Sequence, residues 1–318
     1  MSSLLATALL SVALMAAPAP APPVAGSAAP GAPAGYLMVD LGTLGGDDSY
    51  ANAMNDRGDV IGRAQDASGI YQGFLWQRGR MINLGAFNPI DVNDRGEVVG
   101  ARDDGSGAYV WHRGIFRPLG GPYIRPVAIN NRGQVLGQAA AGPVLWTDGR
   151  TQPLPLDDVS DVNDRGQVSG GVSLSPDGFH AALWHGRRTT DLGAGPFNRS
   201  NTYGLNDSGW VIGWRFSPDQ YPRGILWRHG RTLDIGTLGG NSTEPLAINN
   251  RGEILAKSHN TSNYARPALW RNGVMHDLSL AGISTEGEVV DLDDRGGIAA
   301  TIRLPARDVS HAVVYRPR

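Results

Sequence analysis

A four-residue turn recurs seven times along the chain, each time after a short apolar run. The copies begin with Asn or Asp and end with Gly, and their first residues lie 33 to 44 residues apart. The seven turns are Asn55–Gly58, Asn93–Gly96, Asn130–Gly133, Asn163–Gly166, Asn206–Gly209, Asn249–Gly252 and Asp293–Gly296. A repeat of this period indicates one supersecondary unit that is copied and stacked.

An aromatic residue follows each turn at a nearly constant distance of 16 to 22 residues. The seven are Trp76, Trp111, Trp146, Trp184, Trp227, Trp270 and Tyr315. Between these two landmarks each unit reads as four short strands separated by turn residues, which is typical of an all-β protein. The first Asn can cap the turn through its side chain, and the Gly tolerates a positive φ. The unit therefore has the size and composition of a propeller blade.

The two ends of the ordered repeat complement one another. The last unit stops at Val313–Tyr315 without a fourth strand, whereas Tyr36–Leu41 resembles the fourth strands of other units, such as Thr232–Ile235. We therefore predict an all-β, seven-bladed β-propeller of four-stranded blades, with residues 36–41 completing the C-terminal blade. Such closure protects strand edges. An open solenoid is the alternative, but it has no use for this complementary strand.

Several segments resemble the HAF repeat of bacterial extracellular proteins. They are Asp40-Leu-Gly-Thr-Leu-Gly-Gly46, its near copy Asp234-Ile-Gly-Thr-Leu-Gly-Gly240, Ala247-Ile-Asn249 with Gly252, and His180-Ala-Ala-Leu-Trp184. The resemblance covers residues 36–318 and implies export and a repeated β architecture, without an agreed activity or catalytic residues. The name-giving His occurs only as His180 and His311; the other units have Gln72, Gly107, Gly142, Arg223 and Arg266.

The first 35 residues differ from the rest of the chain, because they contain no charged side chain. Residues 4–17 form an apolar run that is short for a membrane span and typical of a secretory signal peptide. We predict a signal peptide at residues 1–17, with a cleavage site as late as residue 35, and a Pro/Ala/Gly-rich linker at 18–35. The missing N-terminal Lys or Arg leaves a non-signal tail or a misplaced start codon as alternatives. Residues 36–318 are predicted to form one propeller domain.

Composition limits the classes of partner and of chemistry. The chain has no cysteine, which excludes disulfides, thiol catalysis and thiolate metal sites. A net charge of −2 argues against nucleic acid as the main partner, and no second apolar stretch is long enough to make it an integral membrane protein. We expect a secreted, extracellular monomer.

The recurrent residues have both structural and functional interpretations. The seven aromatic residues either stack on ligands or fill the space between blades, and their regular position favours inter-blade packing. The turns offer too few oxygens for calcium, so we expect no cofactor; the Asp103 and Asp104 loop is the best single calcium candidate. No histidine pair has the spacing of metal ligands.

Function is expected where the repeats differ, on the face of long, variable loops opposite the turns. Five residues before each turn, every unit has a side chain capable of hydrogen bonding, one residue position from each blade. We call these the mouth residues: Tyr50, Asn88, Arg125, Asp158, Asn201, Glu244 and Glu288. The position just before the turn is always apolar: Met54, Val92, Ile129, Val162, Leu205, Ile248 and Leu292. A polar ring over an apolar layer indicates either a binding pocket or a water-filled channel mouth.

Two functions remain open from the sequence. The first is an exported, non-enzymatic binding propeller that holds a carbohydrate, a peptide or a cell-envelope component on the loop face. The second is a secreted hydrolase or lyase acting on a polysaccharide or a similar extracellular substrate, in which Asp158, Glu244 and Glu288 supply paired carboxylates beside Arg125. A purely structural scaffold is a third possibility.

Overall fold

The computed structural model describes residues 35–120, 124–174, 178–304 and 308–318. The predicted signal peptide and residues 18–34 of the predicted linker lie outside the described residues. Within them the chain forms seven four-stranded antiparallel sheets arranged as the blades of a β-propeller, as the sequence predicts. Two single-turn 3-10 helices, Gly195–Phe197 and Leu278–Ala281, lie between blades. No helix in these ranges is long and apolar enough to cross a membrane.

Each blade is a meander whose first strand faces the central channel. Blade 1 contains β2 (Gly45–Met54), β3 (Val60–Asp66), β4 (Tyr71–Gln77) and β5 (Arg80–Gly85). Blade 2 contains β6 (Phe87–Val92), β7 (Val98–Arg102), β8 (Ala108–His112) and β9 (Ile115–Pro118). Blade 3 contains β10 (Ile124–Ile129), β11 (Val135–Ala139), β12 (Gly142–Thr147) and β13 (Arg150–Pro153). Blade 4 contains β14 (Asp158–Val162), β15 (Val168–Leu174), β16 (Gly178–His185) and β17 (Arg188–Asp191).

The remaining blades follow the same order. Blade 5 contains β18 (Ser200–Leu205), β19 (Val211–Phe216), β20 (Pro222–Arg228) and β21 (Arg231–Asp234). Blade 6 contains β22 (Gly239–Ile248), β23 (Ile254–Asn260), β24 (Ala265–Arg271) and β25 (Val274–Asp277). Blade 7 contains β26 (Gly287–Leu292), β27 (Ile298–Leu304), β28 (Val309–Pro317) and, as its outer strand, β1 (Tyr36–Asp40).

The ring closes through the N-terminal strand. β1 pairs antiparallel with β28 from Tyr36 opposite Pro317 to Asp40 opposite Val313, and the backbone N–H of Leu41 donates to the carbonyl of Ala312 at 3.0 Å. The predicted closure is therefore confirmed. We call the end of the ring that carries the Asn-Asp-Arg-Gly turns the turn face. The opposite end, with the connections between blades and between second and third strands, is the loop face.

The seven recurrent aromatic residues lie between blades. Each is 3–7% exposed, and each pairs across the third and second strands with a Val or Ile, as Trp227 does with Val211. Trp227 shares a core cluster with Leu205 of its own blade and with Ala181 of blade 4. Burial of such large side chains between sheets is the main apolar contribution that holds adjacent blades together.

Replacing Trp227 tests this packing role. We expect Trp227→Ala to lower the free energy of unfolding by about 3–5 kcal/mol, through lost transfer energy and the cavity it leaves. Trp227→Phe should cost markedly less, because the indole N–H has no hydrogen-bond partner to lose. Urea unfolding followed by far-UV circular dichroism measures both. A loss below about 1 kcal/mol for the Ala variant would contradict an inter-blade packing role.

Candidate functional site

The mouth residues occupy equivalent positions on the seven inner strands. Each pairs with a second-strand residue near the loop face, for example Tyr50 with Arg63, Asn201 with Trp214, and Glu244 with Lys257. They therefore form a ring at the loop-face end of the channel. The ring presents side chains of five types from equivalent backbone positions on the seven inner strands.

The charged members of this ring are mostly open to solvent. Arg125, Asp158, Glu244 and Glu288 are exposed, and Glu288 pairs with Lys257 at 3.3 Å. Tyr50 is 39% exposed and lies 5.9 Å from the ring of Tyr71. Burial, together with side-chain hydrogen bonding to Tyr50, raises the pKa of Tyr71 to about 12. The three carboxylates thus lie in a solvated rim, and nothing in their contacts marks one as an acid and another as a base.

The two Asp-x-Gly-Thr-x-Gly-Gly segments form identical connections between blades. In the first, the Asp40 carboxylate accepts the Gly42 N–H at 2.8 Å and the Thr43 hydroxyl donates to the Gly46 carbonyl at 2.8 Å. The second repeats both bonds at 2.8 and 2.9 Å, from Asp234 and Thr237. The Asp-x-Gly-Thr-x-Gly-Gly segment thus forms a turn on the loop face that its own Asp and Thr side chains stabilise.

The two repeat histidines fasten neighbouring connections. His180 contacts the Asp191 carboxylate at 3.0 Å through Nδ1 and Asn198 Oδ1 at 2.6 Å through Nε2. His311 makes the matching contacts with Asp40 at 2.9 Å and with the carbonyl of Asp47 at 3.1 Å. Partial burial acts to lower the pKa of His180, but the hydrogen bonds with Asn198 and Asp191 outweigh it and raise that pKa.

On the turn face the first residue of each turn links adjacent blades. The Asn55 side chain accepts the N–H groups of Arg57 and Asp59 within its own turn, and its Nδ2 donates to the carbonyl of Asn93 in the next blade at 2.8 Å. The same donation continues from Asn93, Asn130, Asn163, Asn206 and Asn249 to the following turn, at 2.8–3.1 Å. The last of these bonds is accepted by the Asp293 carbonyl, and the series ends there because the Asp293 side chain has no amide N–H to donate.

The second turn residues form another ring, which we call the acidic ring. Its members are Asp56, Asp94, Asn131, Asp164, Asp207, Asn250 and Asp294. Six of these side chains accept the backbone N–H of the equivalent residue in the preceding blade, such as Asp207 Oδ1 from Asp164 at 2.9 Å. The bond from Asp294 N–H to Asp56 Oδ1, at 2.8 Å, crosses the junction between the last blade and the first.

A central cavity of about 180 Å³ lies inside this ring. The acidic ring lines it together with the apolar residues that precede each turn and with Asp161 and Asp291. The mouth residues lie on the other face and do not line it. The sequence predicts an apolar layer beneath the mouth residues, and that layer does line the cavity. The polar side chains that line it as well come from the turns, not from the mouth residues.

Three further aspartates in the channel escaped sequence analysis. Asp91, Asp161 and Asp291 each lie two residues before a turn, directly after a β-bulge in the inner strand. One oxygen of Asp161 accepts its neighbour Val162 N–H at 2.7 Å, and the other accepts Leu205 N–H of blade 5 at 2.9 Å. The other two aspartates bridge blades in the same way. The irregular occurrence of Asp at three of seven equivalent positions was the only available sequence signal.

Several of these carboxyl groups are protonated more readily than usual. Burial and the charge of Asp294 raise the pKa of Asp56 to about 7. Burial and neighbouring aspartates raise the pKa values of Asp161 and Asp291 to about 7 as well. Ionisation of the Asp56, Asp161 and Asp291 carboxyl groups therefore opposes folding.

No group of three or more His, Asp or Glu side chains in the described part of the chain is arranged to hold a metal ion. At the loop predicted as the best calcium candidate, Asp103 pairs with Arg63 at 2.7 Å and Asp104 accepts the Ser106 N–H at 2.8 Å. Calcium binding there stays a prediction.

Comparison with known proteins supports the fold. No family model and no curated protein matches the chain. The propeller domain of the trilobed protease from Pyrococcus furiosus, described as having an open velcro topology, is 9% identical; the match covers 84% of this chain and 93% of that one, with a TM-score of 0.60. Here, by contrast, β1 closes the ring.

Two peptidases, each 12% identical with a TM-score of 0.57, also match. They are acylaminoacyl peptidase from Pyrococcus horikoshii, with 85% of this chain covered, and a puromycin-hydrolysing peptidase from Mycobacterium tuberculosis, with 87% covered. The chain spans about half of each peptidase, 52%. At this level of identity the likeness shows a shared propeller fold alone.

Asp56→Asn tests the electrostatic cost of the acidic ring. The folded-state pKa lies above the unfolded value of 3.8, so the contribution of Asp56 to stability is greatest below pH 4 and is lost as pH rises through about 7. Asn keeps the acceptor oxygen for Asp294 N–H. We expect no change at pH 4 and, allowing for partial exposure, a gain of about 1 kcal/mol at pH 8. Urea unfolding at both pH values measures this.

Asp66→Asn is the control of opposite sign, because hydrogen bonds from Ser68 and Gln72 lower the pKa of Asp66 to about 2. This variant should lose stability at pH 8 rather than gain it. Equal effects of the two substitutions would contradict the assignment for Asp56.

Asp161→Asn tests the bridging role of the channel aspartates. Its side-chain NH2 would face one of the two N–H groups that the carboxylate now accepts, leaving a buried donor unpaired. We expect a loss of about 1–3 kcal/mol in the free energy of unfolding. Asp207→Asn is the matched control, since Asn131 and Asn250 already occupy equivalent positions, and it should stay within about 0.5 kcal/mol of the parent. Equal losses in both would exclude the two-acceptor bridge.

Proposed function

We propose that this protein is an exported, non-enzymatic binding propeller that engages its partner on the loop face. One contrast carries the proposal. On the turn face the recurrent polar side chains are engaged in hydrogen bonds between blades, whereas on the loop face the seven equivalent positions hold five residue types and five of the seven side chains are exposed. Binding residues are typically variable groups held on a rigid scaffold.

The loop face offers both aromatic and polar groups. Exposed Tyr50 and half-buried Tyr71 form one pair of rings on blade 1, and the mouth residues add amides, carboxylates and a guanidinium. Ligand sites commonly combine aromatic surface with a few placed hydrogen-bonding groups. A carbohydrate, a peptide or a cell-envelope component each provides complementary chemistry; nucleic acid does not suit a chain with a net charge of −2.

Export is part of the proposal and rests on sequence pattern. The apolar run at residues 4–17 supports a signal peptide, and the Pro/Ala/Gly-rich stretch to residue 35 supports a linker. The two Asp-x-Gly-Thr-x-Gly-Gly segments support membership of the HAF-repeat proteins, since their side chains make the same contacts in both copies. N-terminal sequencing of the exported protein would locate the cleavage site.

Footprinting locates the binding face. Purified protein would be screened against arrays of defined glycans and peptides and against envelope extract, and hydroxyl-radical footprinting would be repeated with each probe that binds. We expect protection at loop-face residues such as Tyr50 and Tyr71, with Trp210 near the turn face unchanged. Protection confined to the turn face would refute the proposal.

The same preparation separates binding from catalysis. The variant Asp158→Asn/Glu244→Gln/Glu288→Gln retains hydrogen-bonding side chains but loses the three carboxylates. We expect the parent to release no product from bound polysaccharide over long incubation. Cleavage by the parent that is abolished in this variant would establish the hydrolase or lyase alternative instead.

A further inference from the structure

Aromatic side chains are concentrated on one blade of the loop face. Phe197 precedes blade 5, and Tyr203, Trp214 and Phe216 lie on its first two strands. The Phe197 and Phe216 rings are 6.3 Å apart and the Phe216 and Trp214 rings 5.1 Å apart, both edge to face. Trp214 lies beside the Tyr203 hydroxyl, and burial together with the nearby Glu244 carboxylate of blade 6 raises the pKa of Tyr203. We call the four aromatic residues and Glu244 together the aromatic strip.

The strip is partly exposed along its length. Phe197 is 40% exposed, Tyr203 38% exposed, and Trp214 and Phe216 are half-buried. Single exposed apolar side chains are ordinary on protein surfaces, but a contiguous run of aromatic rings marks a contact site.

The propeller scaffold does not require an aromatic residue at Trp214. The equivalent second-strand positions of the other blades, each paired with a mouth residue, are Arg63, Ala101, Gln138, Gly171, Lys257 and Thr301. The recurrent inter-blade tryptophans, in contrast, occupy one position in nearly every blade. Trp214 therefore departs from the repeat, and the inter-blade packing that recurs in the other blades does not account for it.

The groups around the strip suit a saccharide. A sugar ring has an apolar C–H face that can lie on an aromatic side chain and a rim of hydroxyl groups that need hydrogen-bond partners. Asn201 pairs in register with Trp214, and Glu244 adjoins Tyr203, so amide and carboxylate groups lie beside the rings. Tyr and Trp also lose little conformational entropy on binding.

At the channel-mouth end of the strip the charge favours a neutral chain over an acidic one, and Arg215, between Trp214 and Phe216 in β19, alternates to the other face of that strand. The charged member of the strip is the Glu244 carboxylate, which accepts hydroxyl protons and repels anionic groups. Next to it Glu288 is paired with Lys257 at 3.3 Å, so that lysine is not free to neutralise an acidic ligand.

We propose that the aromatic strip is a binding subsite for a neutral glycan chain, whose sugar rings lie along Phe197, Phe216 and Trp214 and whose end reaches Glu244 at the channel mouth. This rests on the proposed function, because it names the ligand class of the loop face. A peptide would need a different complement of contacts and is an outcome of the test.

Calorimetric titration of the exported protein tests the subsite. The probes are neutral glucan, xylan and mannan oligosaccharides, with oligogalacturonate as the acidic comparison and uncharged peptides as the third class. We expect a neutral oligosaccharide to bind and Trp214→Ala or Phe216→Ala to weaken it by at least about tenfold. Trp210→Ala, at the turn-face end of the same blade, is the matched control and should bind as the parent does.

Glu244 provides a second readout that does not depend on removing a large ring. Glu244→Gln keeps an acceptor oxygen and should bind neutral oligosaccharide within about threefold of the parent, whereas Glu244→Ala should lose about tenfold. Circular dichroism and thermal melting verify that each variant is folded. If Trp214→Ala does not fold, binding by Trp214→Leu, Glu244→Gln and Glu244→Ala tests the subsite instead.

The outcomes separate this inference from the proposed function. Absence of binding to every neutral oligosaccharide, or binding that is insensitive to all strip variants, overturns the glycan subsite. If a peptide or an acidic oligosaccharide binds and footprints to the loop face, the subsite assignment fails while the proposed function stands. Protection on the turn face overturns both.

Discussion

A hydrogen bond from a buried turn amide to the carbonyl of the next turn joins adjacent blades at six of the seven junctions. Six Asn side chains make it, from Asn55 to Asn249, and each is 4–5% exposed. Each bond contributes about 0.5–1.5 kcal/mol net, but an unpaired buried amide costs more, so the spacing of blades is fixed as well as stabilised. Where Asp293 ends the series, the Asp294–Asp56 bond and the pairing of β1 with β28 take over.

The same geometry explains why the turn face is acidic. Six members of the acidic ring are acceptors for a neighbouring backbone N–H, a role that Asn131 and Asn250 fill as well as the aspartates do. Burial, together with the charge of Asp294, raises the pKa of Asp56, which is a cost to stability at neutral pH. The residues that recur on the turn face therefore serve hydrogen bonding between blades. The central cavity is the space that the seven turns enclose.

The architecture was predictable because its signals repeat. Seven turns and seven aromatic residues fix the blade number, and the unmatched strand at Tyr36–Leu41 reveals the closure. The β-bulge before each turn was not predictable, since no residue type is common to the bulge positions, which range from Asn52 to Tyr203 to Val290. The bridging role of Asp161 depends on that bulge, which places Leu205 N–H of the next blade within reach, so it could not be inferred from residue type alone.

The mouth residues are predictable from the sequence because each lies five residues before its turn. The residues of the aromatic strip share no such spacing from the turns. Phe197 lies in a connection, Tyr203 at a bulge, and Trp214 on a second strand, so only folding brings them together. In a ring of equivalent blades, symmetry accounts for what the blades have in common and leaves their differences without a structural reason. Trp214 is such a difference, and the exposed Glu244 lies on the adjacent blade 6, so the proposed binding function assigns ligand specificity to blade 5 and its junction with blade 6.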